Sequence, residues 1–138
     1  MNLQLNALAS AIGAKPILVV DDDADVRETL SMFLESEGFL VATVSNGTEA
    51  LKRLKAGMRP GVILLDVMMP GMTGLEVLEE VMSDDALAEI PVTIMSGSHR
   101  LDPSDRADFL QKPIRPDELL RVVHAHLPEA SAYSAPPQ

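Results

Sequence analysis

The sequence predicts an α/β protein in which one parallel β-sheet is covered by helices on both faces. Short runs of apolar residues alternate along the chain with amphipathic segments of helical period. Unbroken apolar runs, as at positions 17–20 and 62–65, are typical of strands buried on both sides. With 138 residues the chain is long enough for one domain. These observations indicate a doubly wound sheet whose parallel strands are joined by right-handed helical crossovers.

The first two strands flank an amphipathic helix. Strand one is predicted at residues 17–20 and strand two at residues 39–44. Between them, apolar residues follow Val26 at i+4, i+7 and i+8, which places them on one face of a helix. Gly38 is expected to end this helix, because glycine tolerates the left-handed conformation common at helix C-termini.

The second and third helices begin at capping signals. Asn46 precedes Glu49 by three residues, and Thr73 precedes Glu76 by the same distance, which is the spacing of a capping box. The third strand, residues 62–65, lies between these two helices. The sequence therefore continues the alternation of strand and helix.

Two more strands and a last helix complete the predicted domain. The fourth strand covers residues 91–95, the fifth contains Phe109, and Pro116 opens the last helix at the position that proline favours. The connection between these strands, residues 97–107, is barely as long as the roughly 10–12 residues that a helical crossover needs. We expect the helix there to be shortened or missing, and residues 97–106 to form a mobile loop.

The predicted domain covers residues 15–127. Residues 1–14 hold only enough apolar residues for about two helical turns, which is marginal without a docking surface, and they are interpreted as an N-terminal extension. Residues 128–138 are rich in alanine, serine and proline and are expected to form a disordered tail. No separate output domain is expected on the chain.

Composition excludes several classes of function. The formal net charge of −10 argues against a nucleic-acid-binding module, which needs a basic face. There is no cysteine, so thiol nucleophiles and disulfides are excluded. No apolar run approaches the roughly 20 residues of a membrane span, and we expect a cytoplasmic protein. The histidines are too scattered for an evident metal site: His99, His124 and His126.

Charged and polar residues follow the predicted strands at the edge where ligands bind in doubly wound sheets. Asp21 and Asp22 follow strand one, and Asp66 follows strand three. Ser96 and Lys112 follow strands four and five. Clustered carboxylates repel one another unless a cation neutralises them, and oxygen ligands of this kind suit Mg²⁺. The sequence therefore predicts a magnesium site beside a lysine whose positive charge suits an incoming phosphate group.

An aspartate after a strand can instead cap the next helix. Asp23 or Asp25 is expected to cap the first helix, and for Asp21 and Asp22 this simpler role stays open. For Asp66 the capping interpretation is weaker, because several residues separate it from the next helix start.

Four segments in chain order resemble the receiver domain of two-component response regulators, over about residues 16–127. The segments are ILVVDDDADVRETL with Asp21 and Asp22, LLDVMMPGMTGLEVL with Asp66, IMSGS with Ser96, and FLQKP with Phe109 and Lys112. The resemblance implies a flavodoxin-like sheet of five strands in the order 2-1-3-4-5.

The resemblance also implies the roles of the site residues. Asp66 would be the aspartate phosphorylated by a histidine kinase or a phosphotransfer protein. Mg²⁺ would be held by Asp22, Asp66 and the backbone carbonyl of Met68, with Asp21 acting partly through water. Lys112 would contact the phosphoryl group, and the Lys112–Pro113 peptide bond is expected to be cis.

A switch and a mode of output follow from the same resemblance. Ser96 would move to hydrogen-bond the phosphoryl group, and Phe109 would turn inward. The output would pass through contacts with an unidentified downstream protein. The chain would be a monomer or weak dimer. It would not be an enzyme, except that it would catalyse the acceptance and slow loss of its own phosphoryl group. The shortened connection leads us to expect that any dimer avoids the family's usual face.

Two alternatives remain. One is a receiver-like interaction module that does not accept a phosphoryl group. The other is a small phosphohydrolase of the haloacid-dehalogenase type, whose Asp-x-Asp motif Asp21 and Asp23 would fit. Asp25 stands where that family uses threonine or valine, and the chain has no room for a substrate cap.

Overall fold

The computed structural model describes residues 14–97 and 107–127. In this part of the chain five parallel strands form one sheet in the order β2-β1-β3-β4-β5, which confirms the predicted topology. The strands are β1 (Ile17–Val20), β2 (Val41–Val44), β3 (Val62–Asp66), β4 (Val92–Ser96) and β5 (Ala107–Gln111).

Four helices lie in the described residues, and each begins close to its predicted position. They are α1 (Ala24–Ser36), α2 (Gly47–Lys55), α3 (Gly74–Ser83) and α4 (Pro116–His126). Asp23 caps α1, Asn46 caps α2, and Thr73 forms a reciprocal capping box with Glu76 at α3. Pro116 occupies the first turn of α4. The capping signals of the sequence are therefore confirmed.

The core has two layers, one on each face of the sheet. On one face, α2 and α3 bury residues that include Leu51 and Val77; on the other, α1 and α4 bury residues that include Leu34 and Leu119. Every residue of β1 and β3 is buried, as the continuous apolar runs predicted, and every residue of β4 is buried as well. Leu75 on α3 is 40% exposed, whereas Val77, Leu78 and Val81 of the same helix are buried.

Several expectations fall on residues outside the described ranges. These are the extension within residues 1–13, the tail at residues 128–138, and the helix, loop and histidine expected within residues 98–106. Within the described part of the chain, no helix is both long and apolar enough to cross a membrane.

Candidate functional site

Three carboxylates meet at the carboxyl ends of β1 and β3. One oxygen from each of Asp21, Asp22 and Asp66 lies within 4.8 Å of the other two. Asp21 and Asp66 are buried, whereas Asp22 is exposed. The strand ends converge because β1 and β3 are parallel neighbours, with Val20 opposite Leu65. The structure therefore brings together the acidic residues that the sequence placed at separate strand ends.

Lys112 lies between the two buried carboxylates. Its Nζ is 2.9 Å from Asp21 Oδ2 and 3.2 Å from Asp66 Oδ1. The backbone N–H of Lys112 donates to the carbonyl of Ser96 at 2.7 Å, which holds the end of β5 against β4. The Lys112–Pro113 peptide bond is cis, as predicted. One ammonium group thus faces both acids.

The oxygen donors fit a hard divalent cation. Three carboxylates carry more negative charge than the single Lys112 ammonium neutralises, and the exposure of Asp22 leaves one side open to water. Mg²⁺ prefers one or two carboxylates and keeps several water ligands. The cluster is therefore compatible with Mg²⁺.

Burial raises the pKa of the Asp66 carboxyl group, and repulsion by the Asp21 carboxylate raises it further. Lys112 and the backbone N–H of Met68 offset this rise only in part. Burial alone would lower the pKa of Lys112, but its hydrogen bond and attraction to Asp21, together with Asp66, raise it overall. Lys112 therefore remains an ammonium, and the Asp66 carboxylate is destabilised by its surroundings.

The raised pKa predicts that ionised Asp66 destabilises the metal-free protein. The folded protein holds the Asp66 proton more tightly than the unfolded chain does. Its contribution to the free energy of unfolding therefore falls as the pH rises from 3.8 through the folded-state pKa. Asp66→Asn removes this cost, and we expect its stability advantage to grow to on the order of 1 kcal/mol near neutral pH.

Urea unfolding in EDTA at several pH values measures this difference. Added Mg²⁺ should stabilise the wild type more than Asp66→Asn, because only the wild type keeps the full set of ligands. A stability difference that stays constant or shrinks as the pH rises would contradict the prediction.

The other predicted site residues lie around this centre. Ser96 ends β4 and is buried, and Phe109 on β5 is half-buried against the core layer beneath α2 and α3. The Met68 side chain is 74% exposed. Asp23 accepts hydrogen bonds from the N–H groups of Asp25 and Val26, so Asp23 caps a helix and is not part of the carboxylate cluster.

The loop after Asp66 is closed by the backbone. The N–H of Gly74 donates to the carbonyl of Val67 at 3.0 Å. A Cβ atom at Gly74 would collide with the backbone carbonyl of Asp66, so the start of α3 packs directly on the strand end. Gly71 has a φ of 77°, a conformation that favours glycine. Residues 68–73 therefore span a fixed gap between β3 and α3.

Sequence reasoning missed Arg27 on α1. Its Nη1 donates to the backbone carbonyl of Asp21 at 2.7 Å. The only signal was its place on the amphipathic α1, which does not distinguish a side chain that reaches the site from one that lies in solvent.

The fold and this cluster together define a doubly wound α/β protein with an acidic centre at its strand ends. Residues 17–124 match the family model of the response regulator receiver domain. The chain is a member of the response regulator receiver domain family, a class phosphorylated on aspartate in two-component signalling.

Two relatives illustrate the similarity. The chain is 37% identical over 114 residues to the DNA-binding response regulator MtrA of Mycobacterium tuberculosis, covering 80% of this chain but 50% of MtrA. It therefore spans about half the length of MtrA. It is also 36% identical over 129 residues to the two-component response regulator ORR11 of rice (Oryza sativa subsp. indica), covering 88% of each protein.

Solved structures show the same fold. The chemotaxis protein CheY4 of Vibrio cholerae has a TM-score of 0.73 and 28% identity, covering 83% of this chain and all of CheY4. The response regulator TrrA of Thermotoga maritima, solved in complex with Mg²⁺-BeF, has a TM-score of 0.73 and 35% identity. That similarity covers 82% of this chain and 99% of TrrA.

Proposed function

We propose that Asp66 is the phosphoacceptor of this receiver domain. The single observation that carries the proposal is the meeting of Asp66 with Lys112, 3.2 Å away, inside the three-carboxylate cluster. Asp66 ends the central strand β3 and is 3% exposed, so its position is fixed by the sheet. Asp22, the exposed acid of the cluster, has no such contact with Lys112.

The proposed reaction transfers a phosphoryl group from a phosphohistidine, or from acetyl phosphate, to Asp66. An Asp66 carboxylate oxygen forms a bond to phosphorus while the bond from phosphorus to the donor breaks and the donor leaves. Lys112 donates to a phosphoryl oxygen and offsets its negative charge. Asp22, Asp66 and the Met68 carbonyl would hold Mg²⁺, with Asp21 assisting through water. Mg²⁺ held there would neutralise charge on the carboxylates and on the transferred group.

We propose that Ser96 and Phe109 change conformation in response to the charge of the phosphoryl group on Asp66. Ser96 ends the strand next to β3 and would hydrogen-bond the phosphoryl group. Phe109 lies on the edge strand β5 opposite Ile94 and would follow inward. A local change of charge would thereby reach the surface at β5, the edge strand of the sheet.

The proposed phosphodonor is a histidine kinase or a phosphotransfer protein. We propose that the output passes through contacts with a downstream protein, and that the chain acts as a monomer or weak dimer. The net charge of −10 disfavours direct binding of nucleic acid by this chain.

The test is to incubate the protein with acetyl phosphate, with and without Mg²⁺, and to follow its mass. A gain of one phosphoryl group that requires Mg²⁺ is the expected result. A protein that binds Mg²⁺ but gains no mass, from acetyl phosphate or from a panel of phosphorylated histidine kinases, would instead be an interaction module.

The exposed side chain at position 68 is expected to set the lifetime of the phosphorylated protein. Hydrolysis needs a water in line with the bond from Asp66 to phosphorus, and Met68 lies two residues further along the chain. A methionine cannot donate a hydrogen bond to that water, whereas an asparagine can. We therefore expect Met68→Asn to lose the phosphoryl group several-fold faster, as measured by the decay of the phosphorylated mass.

Met32→Asn is a matched control, because Met32 is also exposed, at 64%, but lies on α1. It should leave the decay rate unchanged. If Met68→Asn decays at the wild-type rate or more slowly, position 68 does not govern hydrolysis.

A further inference from the structure

Arg27 reaches from α1 to the backbone on both sides of Asp22. Its side-chain Nη1 donates to the carbonyl of Asp21 at 2.7 Å, and its backbone N–H donates to the carbonyl of Asp23 at 3.1 Å. Arg27 is half-buried, so the guanidinium group is partly shielded from water. A hydrogen bond from a charged donor is stronger than a neutral one. This single residue therefore brackets one acid of the cluster.

Asp22 differs from the other two acids in how it is held. The Asp21 carboxylate accepts hydrogen bonds from Lys112 Nζ and from the backbone N–H of Asp23, both at 2.9 Å. The Asp66 carboxylate contacts Lys112 and the N–H of Met68. Across residues 14–97 and 107–127, the Asp22 side chain makes no hydrogen bond or ion pair. Its place in the cluster therefore depends on where the backbone puts its Cα atom.

The hydrogen bond from Arg27 fixes that backbone. The carbonyl of Asp21 and the Cα of Asp22 belong to one planar peptide unit. The Arg27 side chain holds the oxygen of this unit, while the N–H of Asp21, which belongs to the preceding peptide unit, donates to the carbonyl of Val44 at 3.3 Å. With the chain anchored just before this unit and the oxygen of the unit held by Arg27, the orientation of the peptide plane is restrained, and with it the position of the Asp22 Cα.

We propose that Arg27 is a positioning residue that places Asp22 for binding Mg²⁺. The inference rests on the proposed function, because it takes the three-carboxylate cluster to be a magnesium site. Arg27 would act through Asp22 and would not touch the phosphoryl group. Without its side-chain donor, Asp22 would sample more orientations, and Mg²⁺ affinity would fall.

Electrostatics alone predicts the opposite effect. A guanidinium group close to three carboxylates repels a cation, so its removal should strengthen Mg²⁺ binding if charge were all that mattered. The direction of the change therefore separates positioning from simple charge repulsion.

The experiment titrates the full chain with MgCl₂ and follows backbone amide NMR shifts near the cluster. Arg27→Met, which removes the donor but keeps an apolar stem, should bind Mg²⁺ about tenfold more weakly. Arg27→Lys keeps a charged donor and should stay within about threefold of the wild type. Arg121→Met is the matched control, because Arg121 is exposed on α4 and makes no hydrogen bond or ion pair within the described residues. It should bind Mg²⁺ as the wild type does.

Two results would overturn the proposal. One is a folded Arg27→Met that binds Mg²⁺ as tightly as the wild type or more tightly. The other is an equal loss in Arg27→Met and Arg27→Lys, since the retained donor would then have no effect. If circular dichroism shows that Arg27→Met does not fold, Arg27→Gln, which is shorter and uncharged, is titrated with MgCl₂ in its place. A folded Arg27→Gln that binds Mg²⁺ as tightly as the wild type or more tightly would then overturn the proposal.

A second measurement separates this inference from the proposed function. Labelling by acetyl phosphate is followed as the Mg²⁺ concentration rises. Arg27→Met should need more Mg²⁺ but reach the wild-type rate at saturation. If the wild type neither binds Mg²⁺ nor becomes labelled, the proposed function itself fails. If the wild type does both and Arg27→Met matches it throughout, only the role of Arg27 fails.

Discussion

Replacing Asp66 with asparagine or alanine is expected to abolish labelling by acetyl phosphate. Neither side chain offers a carboxylate oxygen to attack phosphorus, so the loss should be complete. The fold should survive, because Asp66→Asn keeps the shape of the side chain and removes a buried charge. Intact-protein mass after incubation with acetyl phosphate and Mg²⁺ measures the result, and urea unfolding confirms that the variant is folded.

Asp23→Asn is the matched control for this loss. Asp23 lies two residues beyond Asp21 but caps α1, and asparagine is an equally good cap. Its labelling should equal that of the wild type. Full labelling of Asp66→Ala would assign the phosphoryl group to another residue, and peptide mapping would then identify which one.

Removing the ammonium group of Lys112 should slow labelling about 100-fold, because a preorganised cation in contact with the reacting group is lost. In Lys112→Met, Asp21 and Asp66 would face each other without the cation that lies 2.9 and 3.2 Å from them. We also expect a loss of about 2 kcal/mol in the free energy of unfolding without metal. Mg²⁺ binding should not weaken, because a competing positive charge has gone. Labelling rates at saturating Mg²⁺ separate the slower reaction from any change in metal binding.

Arg115→Met serves as the control for charge. Arg115 lies three residues beyond Lys112. Within the part of the chain that the structure describes it pairs only with Asp117, at 3.4 Å, in an ion pair whose side chains are 70% and 71% exposed. Exposed pairs of this kind contribute little, so labelling should remain within about twofold of the wild type. Wild-type labelling rates in Lys112→Met would remove Lys112 from the proposed reaction.

Much of the fold was predictable because it depends on short-range patterns. The unbroken apolar runs located β1 and β3, and the Thr73–Glu76 spacing located the start of α3. The order of the strands in the sheet could not be predicted from such short-range patterns. Hydrophobic pattern does not say which strands are neighbours, so the order came from the family resemblance.

The candidate site was predictable only as a set of residues at strand ends. Asp21, Asp66 and Lys112 were identified as members, but their pairing depends on side-chain packing that the pattern does not encode. Arg27 could not be predicted at all, because the hydrogen bond to Asp21 requires the angle at which α1 leaves β1. The structure supplies that angle and thus the contact.

The closed loop between β3 and α3 has a consequence for how receivers of this kind diversify. Because the hydrogen bond from Gly74 to Val67 anchors both ends of the loop, a substitution at an exposed position between them leaves the strand and the helix in place. Met68 lies in that loop and is 74% exposed, whereas its neighbour Met69 is buried. A substitution at position 68 would therefore change the proposed lifetime of the phosphorylated protein at little cost in stability, so that the duration of a signal and the architecture of the domain could vary separately.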